Sequence, residues 1–320
     1  MGLGVQVVSS GSSGSDHAAK HARKRSPLFT YTGRAMTARQ SALAVVMCAA
    51  LTGAGCGSGA QSPTVLPARS VTGSFASGDV SLRYLLERPP GPGPFPAVVI
   101  GHGSGEVRKE AFQFLATELL TRGFTVLRYD KRGVGDSTGT YSTVGIGNSE
   151  RMFADLSSDM AAGAELLRTL PDVDRLRVGL MGYSQAGWII PLAARRSKPA
   201  FMVMMVGPTV TVGQEIYYSR FAEDTTTPFD ELSKILKEYT GPHGFDPRPV
   251  LEELTVPGLW LLGSADRSIP TIETVTILDA LIAGGRPYRR VVYPFSGHNL
   301  NGAKIWPDIE VFLKDVKIVK

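Results

Sequence analysis

Ser184 and the residues around it are the part of this sequence that most clearly indicates chemistry. The segment Leu180–Trp188 places Ser184 directly after an apolar run and directly before a run with helical character. A strand–turn–helix of this kind predicts a serine hydroxyl exposed on a sharp turn, with the next backbone N–H directed at the atom it attacks. Gly182, Ala186 and Gly187 are small, so the strand and helix backbones have room to approach each other.

A serine hydroxyl is a weak nucleophile until a base removes its proton, and the base is usually a histidine. Of the five histidines, His298 is the best candidate because it follows the last predicted strand, at residues 288–293. Its loop is then expected at the same edge of the sheet as Ser184. We therefore predict His298 as the general base, although a loop histidine alone could equally be an ordinary surface residue.

Asp266 is the predicted partner that orients this histidine. A carboxylate there holds the imidazole in the required tautomer and stabilises the imidazolium. Asp266 follows a predicted strand at residues 259–262, and its separation of 32 residues from His298 leaves room for one helix and one strand. Lone loop aspartates more often cap a helix or a turn, so the alternative is that Asp266 caps a helix near Pro270.

Acyl transfer also needs hydrogen-bond donors for the oxyanion of the tetrahedral intermediate. A glycine-rich turn after the predicted strand 97–100 would bring the N–H of Ser104 or Gly103 opposite that of Gln185. The rival interpretation is a dinucleotide-binding loop, but that pattern requires a glycine where Glu106 stands. The sequence contains no P-loop pattern and no His-Glu-x-x-His zinc motif, so we expect neither a metal nor an organic cofactor.

These residues resemble the α/β-hydrolase superfamily, in its serine esterase and acyl-hydrolase branches, from about residue 71 to residue 316. The chain order Ser184, Asp266, His298 is the triad order of that superfamily. The segment Arg128–Ser137 is also similar to one common there, usually a structural loop, which implies structural roles for Asp130 and Arg132. Similarity to dienelactone-hydrolase-like members extends to the fold only, because Ser184 stands where those proteins carry cysteine.

The elements that must position these residues follow from hydrophobic patterning. Continuous apolar runs alternate with amphipathic segments, which predicts βαβ units, a mostly parallel, doubly wound α/β sheet flanked by helices, and ligand binding beyond the carboxyl ends of its strands. The remaining predicted strands are 71–75, 80–86, 124–129, 177–181 and 201–206, and the predicted helices are 110–122, 152–170, 185–195, 272–283 and 306–316. Residues 208–256 interrupt the alternation, either as an aromatic cap that lines an apolar pocket or as an excursion packed on the sheet edge.

Residues 1–55 are predicted to be an N-terminal extension and signal peptide. Arginines precede the apolar stretch 41–52, which is too short to span a bilayer but suits a secretion signal. Gly55-Cys56 resembles the lipobox of bacterial lipoproteins, so acylation of Cys56 is expected, followed by a flexible tether at residues 56–69. Ordinary secretion with cleavage near Ala54 is the alternative. Either way we expect an exported protein, on the outer face of the cell membrane or secreted, and Met36 is an alternative start.

Charge and cysteine content narrow the function of the predicted hydrolase domain, residues 70–320. The net charge of +5 resides entirely in residues 1–55, so the rest is formally neutral and lacks the basic surface that nucleic-acid binding requires. Both cysteines, Cys48 and Cys56, precede the domain, which excludes a cysteine nucleophile within it. We predict a serine hydrolase acting on small carboxylic esters with an apolar group. The alternatives are a thioesterase or peptidase of the same fold, or a non-catalytic binding protein.

Overall fold

One eight-stranded sheet organises the part of the chain that the computed structural model describes, residues 69–320. The spatial order of its strands is β1-β2-β4-β3-β5-β6-β7-β8. Strand β2 is antiparallel to both of its neighbours, and all other pairs are parallel. The strands are β1 (Arg69–Ser77), β2 (Val80–Arg88), β3 (Phe95–Gly101), β4 (Thr125–Tyr129), β5 (Val173–Tyr183), β6 (Met202–Met205), β7 (Gly258–Gly263) and β8 (Tyr288–Tyr293).

Helices cover both faces of this sheet. They are α1 (Gln113–Thr121), α2 (Ser149–Thr169), α3 (Ala186–Ser197), α4 (Val212–Ala222), α5 (Phe229–Lys237), α6 (Arg248–Glu253), α7 (Thr271–Ala283) and α8 (Ile305–Asp315). Alternate strand residues point to opposite faces, as in β3, where Val99 belongs to one core and Val98 and Ile100 to the other. Helices α2, α3 and α7 pack on the Val99 side, and α1 and α8 pack on the opposite side.

The predicted fold class is confirmed, and each predicted strand and helix has its counterpart. The bounds differ by a few residues where backbone conformation decides them. Helix α1 begins at Gln113 rather than at Glu110, because Phe112 has φ 59° and lies in the left-handed region, outside the helical basin. The interruption at residues 208–256 holds α4, α5 and α6, between β6 and β7.

The predicted signal peptide, Cys56 and nearly all of the tether lie outside the described residues. Within residues 69–320, none of the helices combines the length and apolar character needed to cross a bilayer. The same residues contain no group of three or more histidine, cysteine, aspartate or glutamate side chains placed to hold a metal ion.

Candidate active site

Ser184 lies on a tight turn between β5 and α3, as the sequence predicts. Its φ of 55° is left-handed, a conformation that non-glycine residues adopt only when the surroundings impose it. The surroundings here include a hydrogen bond from the Ser184 N–H to the Met205 carbonyl at 2.9 Å. A Cβ at Gly182 would lie 2.4 Å from the Ala186 Cβ, and a Cβ at Gly187 would lie 2.6 Å from the Gly207 Cα. Gly182 therefore allows the end of β5 to approach α3, and Gly187 allows α3 to approach the segment after β6.

The structure brings Ser184, His298 and Asp266 into one hydrogen-bonded chain. His298 Nε2 is 3.0 Å from Ser184 Oγ, and His298 Nδ1 is 2.9 Å from Asp266 Oδ2. Since a carboxylate can only accept, Nδ1 carries the proton and Nε2 is free to accept the serine proton. An arrangement of this kind can activate a serine hydroxyl as a nucleophile.

The Asp266 carboxylate is 1 % exposed, and several donors offset the cost of burying it. Besides His298, its Oδ1 accepts hydrogen bonds from the Ser268 and Ile269 N–H groups at 2.8 and 2.9 Å. The predicted alternative, a helix cap, is wrong, because α7 begins at Thr271 after Pro270 and receives no side-chain cap. Asp266 closes a turn instead, and that turn orients the oxygen that faces His298.

The glycine-rich turn after β3 lies beside Ser184. A Cβ at Gly103 would be 3.6 Å from the Tyr183 carbonyl oxygen and 3.8 Å from the Ser184 Cβ. Ser104 and Gln185 both line the cleft that contains Ser184. Gln185 directly precedes α3, and the first N–H groups of a helix have no intrahelical partner. The residues predicted as oxyanion donors are thus adjacent to the nucleophile.

Lys131, at the end of β4, is a functional candidate that the sequence analysis missed. Its Nζ donates hydrogen bonds to the carbonyl oxygens of Gly103 and Gly105, at 2.8 and 3.0 Å, and to Gln185 Oε1 at 3.2 Å. It therefore joins the glycine-rich turn to Gln185, the two segments that carry the predicted oxyanion donors. Burial lowers the pKa of Lys131 to about 8. The available sequence signal was its place directly after a strand, at the carboxyl edge of the sheet.

Asp130 and Arg132, on either side of Lys131, form contacts that suit the structural roles implied by the resemblance. Asp130 accepts hydrogen bonds from the N–H groups of Lys109 and Asp136, at 2.7 and 3.0 Å. Arg132 forms a bidentate pair with Asp159, at 2.7 and 2.8 Å. These contacts fix the loop after β4, which holds Lys131 in place.

The cleft around Ser184 has a volume of about 80 Å³, and the interruption after β6 supplies one of its walls. Helix α4 contributes Val212, Glu215 and Ile216 to this wall. Of the two alternatives predicted for residues 208–256, an aromatic lining of the pocket is not what the structure shows, because no aromatic residue of this segment is among those that line the cleft. Among the residues described, Tyr217 packs instead against Phe221 and Tyr239, with 4.9 Å between ring centroids, because these rings form the contacts within the cap itself.

Glu215 is the second functional candidate that sequence patterning did not reveal. Burial raises the pKa of its carboxyl to about 7, with the negative charge of Asp266 raising it further and His298 lowering it. A glutamate in the first turn of a helix is common, since an anion there interacts favourably with the helix dipole. Only the fold shows that this one faces the nucleophile.

The comparisons with known proteins agree with this geometry. Residues 110–309 match the prolyl oligopeptidase family. The protein belongs to the prolyl oligopeptidase family. One relative of this protein is the esterase EstD of Thermotoga maritima. The two sequences are 26 % identical over 229 residues, which cover 61 % of this chain and 53 % of EstD. The chain therefore spans about half the length of that relative.

Solved structures with low sequence identity to this chain share its fold. An esterase of Pyrococcus furiosus superposes with a TM-score of 0.57 at 16 % identity, covering 78 % of this chain and 90 % of its own. The acylaminoacyl peptidase of Pyrococcus horikoshii superposes with a TM-score of 0.60 at 18 % identity. The superposition covers 78 % of this chain and 42 % of the peptidase. The resemblance to the α/β-hydrolase superfamily is confirmed by the family match and by the shared fold.

Proposed function

We propose that this protein is a serine hydrolase that cleaves carboxylic esters of small molecules through an acyl-enzyme. The observation that carries the proposal is the continuous hydrogen-bonded chain from Ser184 Oγ through His298 to the buried Asp266. Folding alone does not require these three side chains to meet, whereas nucleophilic catalysis does.

The reaction follows from the positions of these groups. His298 Nε2 takes the hydroxyl proton while Ser184 Oγ attacks the ester carbonyl carbon, and Asp266 stabilises the resulting imidazolium. The N–H groups of Gln185 and of Ser104 or Gly103 receive the negative charge that develops on the carbonyl oxygen. His298 then protonates the departing alkoxide, which leaves the acyl group on Ser184. Water, activated by the same histidine, releases the acid and restores the free serine.

Two observations favour small esters as the substrates. These are the size and lining of the cleft, and the names of similar proteins. A volume of about 80 Å³ is well below that of a drug-sized binding site, so the cleft suits a small acyl or alcohol group. Trp188, Val212 and Ile216 supply apolar surface for an acyl or alcohol group. EstD and the Pyrococcus furiosus protein, which share this fold, are esterases.

A peptidase is the second candidate, because the family match and the acylaminoacyl peptidase both point to amide bonds. The catalytic groups serve esters, thioesters and amides alike, so the acyl donor must be tested directly. An ester, a thioester and an anilide with the same butyryl group separate these classes. We expect the ester to be cleaved with the highest kcat/KM; faster anilide cleavage would favour the peptidase.

Labelling with a fluorophosphonate tests the nucleophile itself. The full-length protein should be modified on the peptide that contains Ser184, and Ser184→Ala should abolish both labelling and ester hydrolysis. The matched control is Ser81→Ala, at an exposed position on β2, which should label like the wild type. Modification at another serine, or full activity in Ser184→Ala, would reject the proposal.

We also propose that the protein is exported and held at the membrane by acylation of Cys56, as its lipobox-like context suggests. Metabolic labelling with an alkynyl fatty acid should mark the full chain, and Cys56→Ser should remove the label and release the protein from the membrane fraction. An unlabelled wild-type protein in the medium would favour ordinary secretion instead.

A further inference from the structure

Glu215 lies in the first turn of α4 and lines the same cleft as Ser184. Of the described residues that line this cleft, it alone carries a formal charge; its neighbours on the walls include Val144, Trp188 and Ile269. A carboxylate is therefore placed on an otherwise uncharged surface, within the space that a substrate must occupy to reach the nucleophile.

The Glu215 carboxylate has no protein partner within residues 69–320, where its side chain neither accepts a hydrogen bond nor forms an ion pair. Two cations that line the adjoining cavity in the described part of the chain, Lys131 and Arg132, already have partners. All three protons of the Lys131 ammonium are used by oxygen acceptors, and Arg132 is paired with Asp159. A partly desolvated carboxylate without a partner is costly, so a ligand that supplies a positive charge gains the interaction the protein leaves unmade.

We propose that Glu215 makes this cleft selective for esters that carry an ammonium group on their acyl or alcohol part. The inference rests on the proposed ester hydrolysis at Ser184 and names its substrate class. Uncharged walls with one carboxylate suit a cation on a short hydrocarbon stem, because Ile216 offers the stem apolar surface while the charge meets Glu215. The partial burial of Glu215 strengthens that attraction, because the carboxylate is less screened than a fully solvated one.

The direction of the pH dependence follows from the environment of Glu215. Since burial raises its pKa to about 7, the carboxylate is mostly ionised at pH 8 and mostly protonated at pH 6. The titratable groups that act on it are Asp266, after β7, and His298, after β8. His243, in the loop between α5 and α6, packs near the start of α4, where its Nδ1 lies 3.1 Å from the Thr211 hydroxyl oxygen. Preference for a cation should therefore increase as the pH rises through 7.

The test uses two esters of equal shape, acetylcholine and 3,3-dimethylbutyl acetate, which differ only in the replacement of N⁺ by carbon. The readout is the ratio of their kcat/KM values, because a pH effect on the shared hydrolysis step changes both values equally and cancels. We expect a ratio of about tenfold or more at pH 8, equivalent to about 1.4 kcal/mol, and a smaller ratio at pH 6. Glu215→Gln should reduce the ratio to near unity at both pH values.

Glu223→Gln is the matched control, since Glu223 lies exposed at the other end of the same helix; it should keep the wild-type ratio. A wild-type ratio near one at pH 8, or an unchanged ratio in Glu215→Gln, would overturn the inference. An equal loss of rate on both esters would also overturn it, because Glu215 would then act only on the imidazolium. The proposed hydrolysis fails separately, through the absence of turnover of either ester and of fluorophosphonate labelling.

Discussion

The hydroxyl of Tyr218 donates a hydrogen bond to the backbone carbonyl oxygen of Asp266, at 2.8 Å. Tyr218 is buried on α4, the helix that also carries Glu215, and Asp266 is the acid that orients His298. This contact makes the cap and the catalytic loop after β7 a single packed unit. The cap thus supports the proposed catalytic chain as well as lining the cleft.

Tyr218→Phe should show how much this link contributes. The substitution keeps the ring but leaves a buried carbonyl without its donor, so we expect a loss of about 1–3 kcal/mol in the free energy of unfolding. We expect kcat on a neutral ester to fall several-fold with a smaller change in KM. Tyr217→Phe is the control, because within residues 69–320 the Tyr217 hydroxyl forms no hydrogen bond. Equal effects from both substitutions would mean that the hydrogen bond to Asp266 is unimportant.

Lys131 should act as a positioning residue for the oxyanion donors. Lys131→Met removes three hydrogen bonds that join the glycine-rich turn to Gln185. Donors aligned for the transition state affect kcat more than substrate binding, so we expect kcat to fall about 10- to 100-fold with little change in KM. The control is Lys314→Met, because Lys314 is an exposed lysine on α8. A rise in KM at constant kcat would contradict this role.

The pH profile gives a second readout for the same residue. Below a pKa of about 8, Lys131 is an ammonium with a proton for each of its three acceptors. Above this pKa, the neutral amine of Lys131 has two N–H groups and can no longer donate to all three acceptors. Activity of the wild type should therefore decline as the pH rises through 8, and this decline should be absent from the residual activity of Lys131→Met.

The sequence predicts the triad because each member follows a strand that ends at the same edge of the sheet. Ser184 follows β5, Asp266 follows β7 and His298 follows β8, and parallel pairing brings those ends together. A strand-end rule of this kind needs only periodicity and chain order. The same periodicity located the helices, since their apolar faces repeat along the chain.

Side-chain burial is what the sequence could not supply. Lys131 and Glu215 are residue types usually found at surfaces, and nothing in their local patterns distinguishes them from solvated charges. Their roles depend on loops and a cap that meet them from distant parts of the chain. The cap aromatics show the converse, because their composition suggested a pocket lining whereas packing within the cap occupies them.

Gly187 should be intolerant of even a methyl group. Its Cβ position lies 2.6 and 2.7 Å from the Cα and C atoms of Gly207, so a clash there involves backbone and no rotamer change relieves it. We expect Gly187→Ala to lower the free energy of unfolding by about 1–3 kcal/mol in urea denaturation. Gly145→Ala is the control: no atom lies within 4 Å of its Cβ position, and we expect a change within about 0.5 kcal/mol. Similar values for both would show that the turn and Gly207 can separate.

His102 should make the protein sensitive to acid. It is buried against Tyr129, and its Nε2–H donates to the Tyr129 carbonyl oxygen at 2.7 Å. Burial, with the nearby charge of Lys131, lowers the pKa of His102 from 6.5 to about 3. Between these values the unfolded chain binds the proton and the folded chain does not, so stability falls as the pH falls, by about 1.4 kcal/mol per unit.

His102→Gln removes this titration while keeping an N–H donor at a similar distance from the backbone. The variant should be less stable than the wild type at pH 7, because it loses the packing of the imidazole on Tyr129, whose ring centroid is 4.3 Å away. Its free energy of unfolding should nevertheless decline less steeply between pH 6.5 and pH 4, as measured by urea denaturation at each pH. Parallel curves for the two proteins would show that His102 takes up its proton in the folded state as readily as in the unfolded one, and that its burial does not govern acid stability.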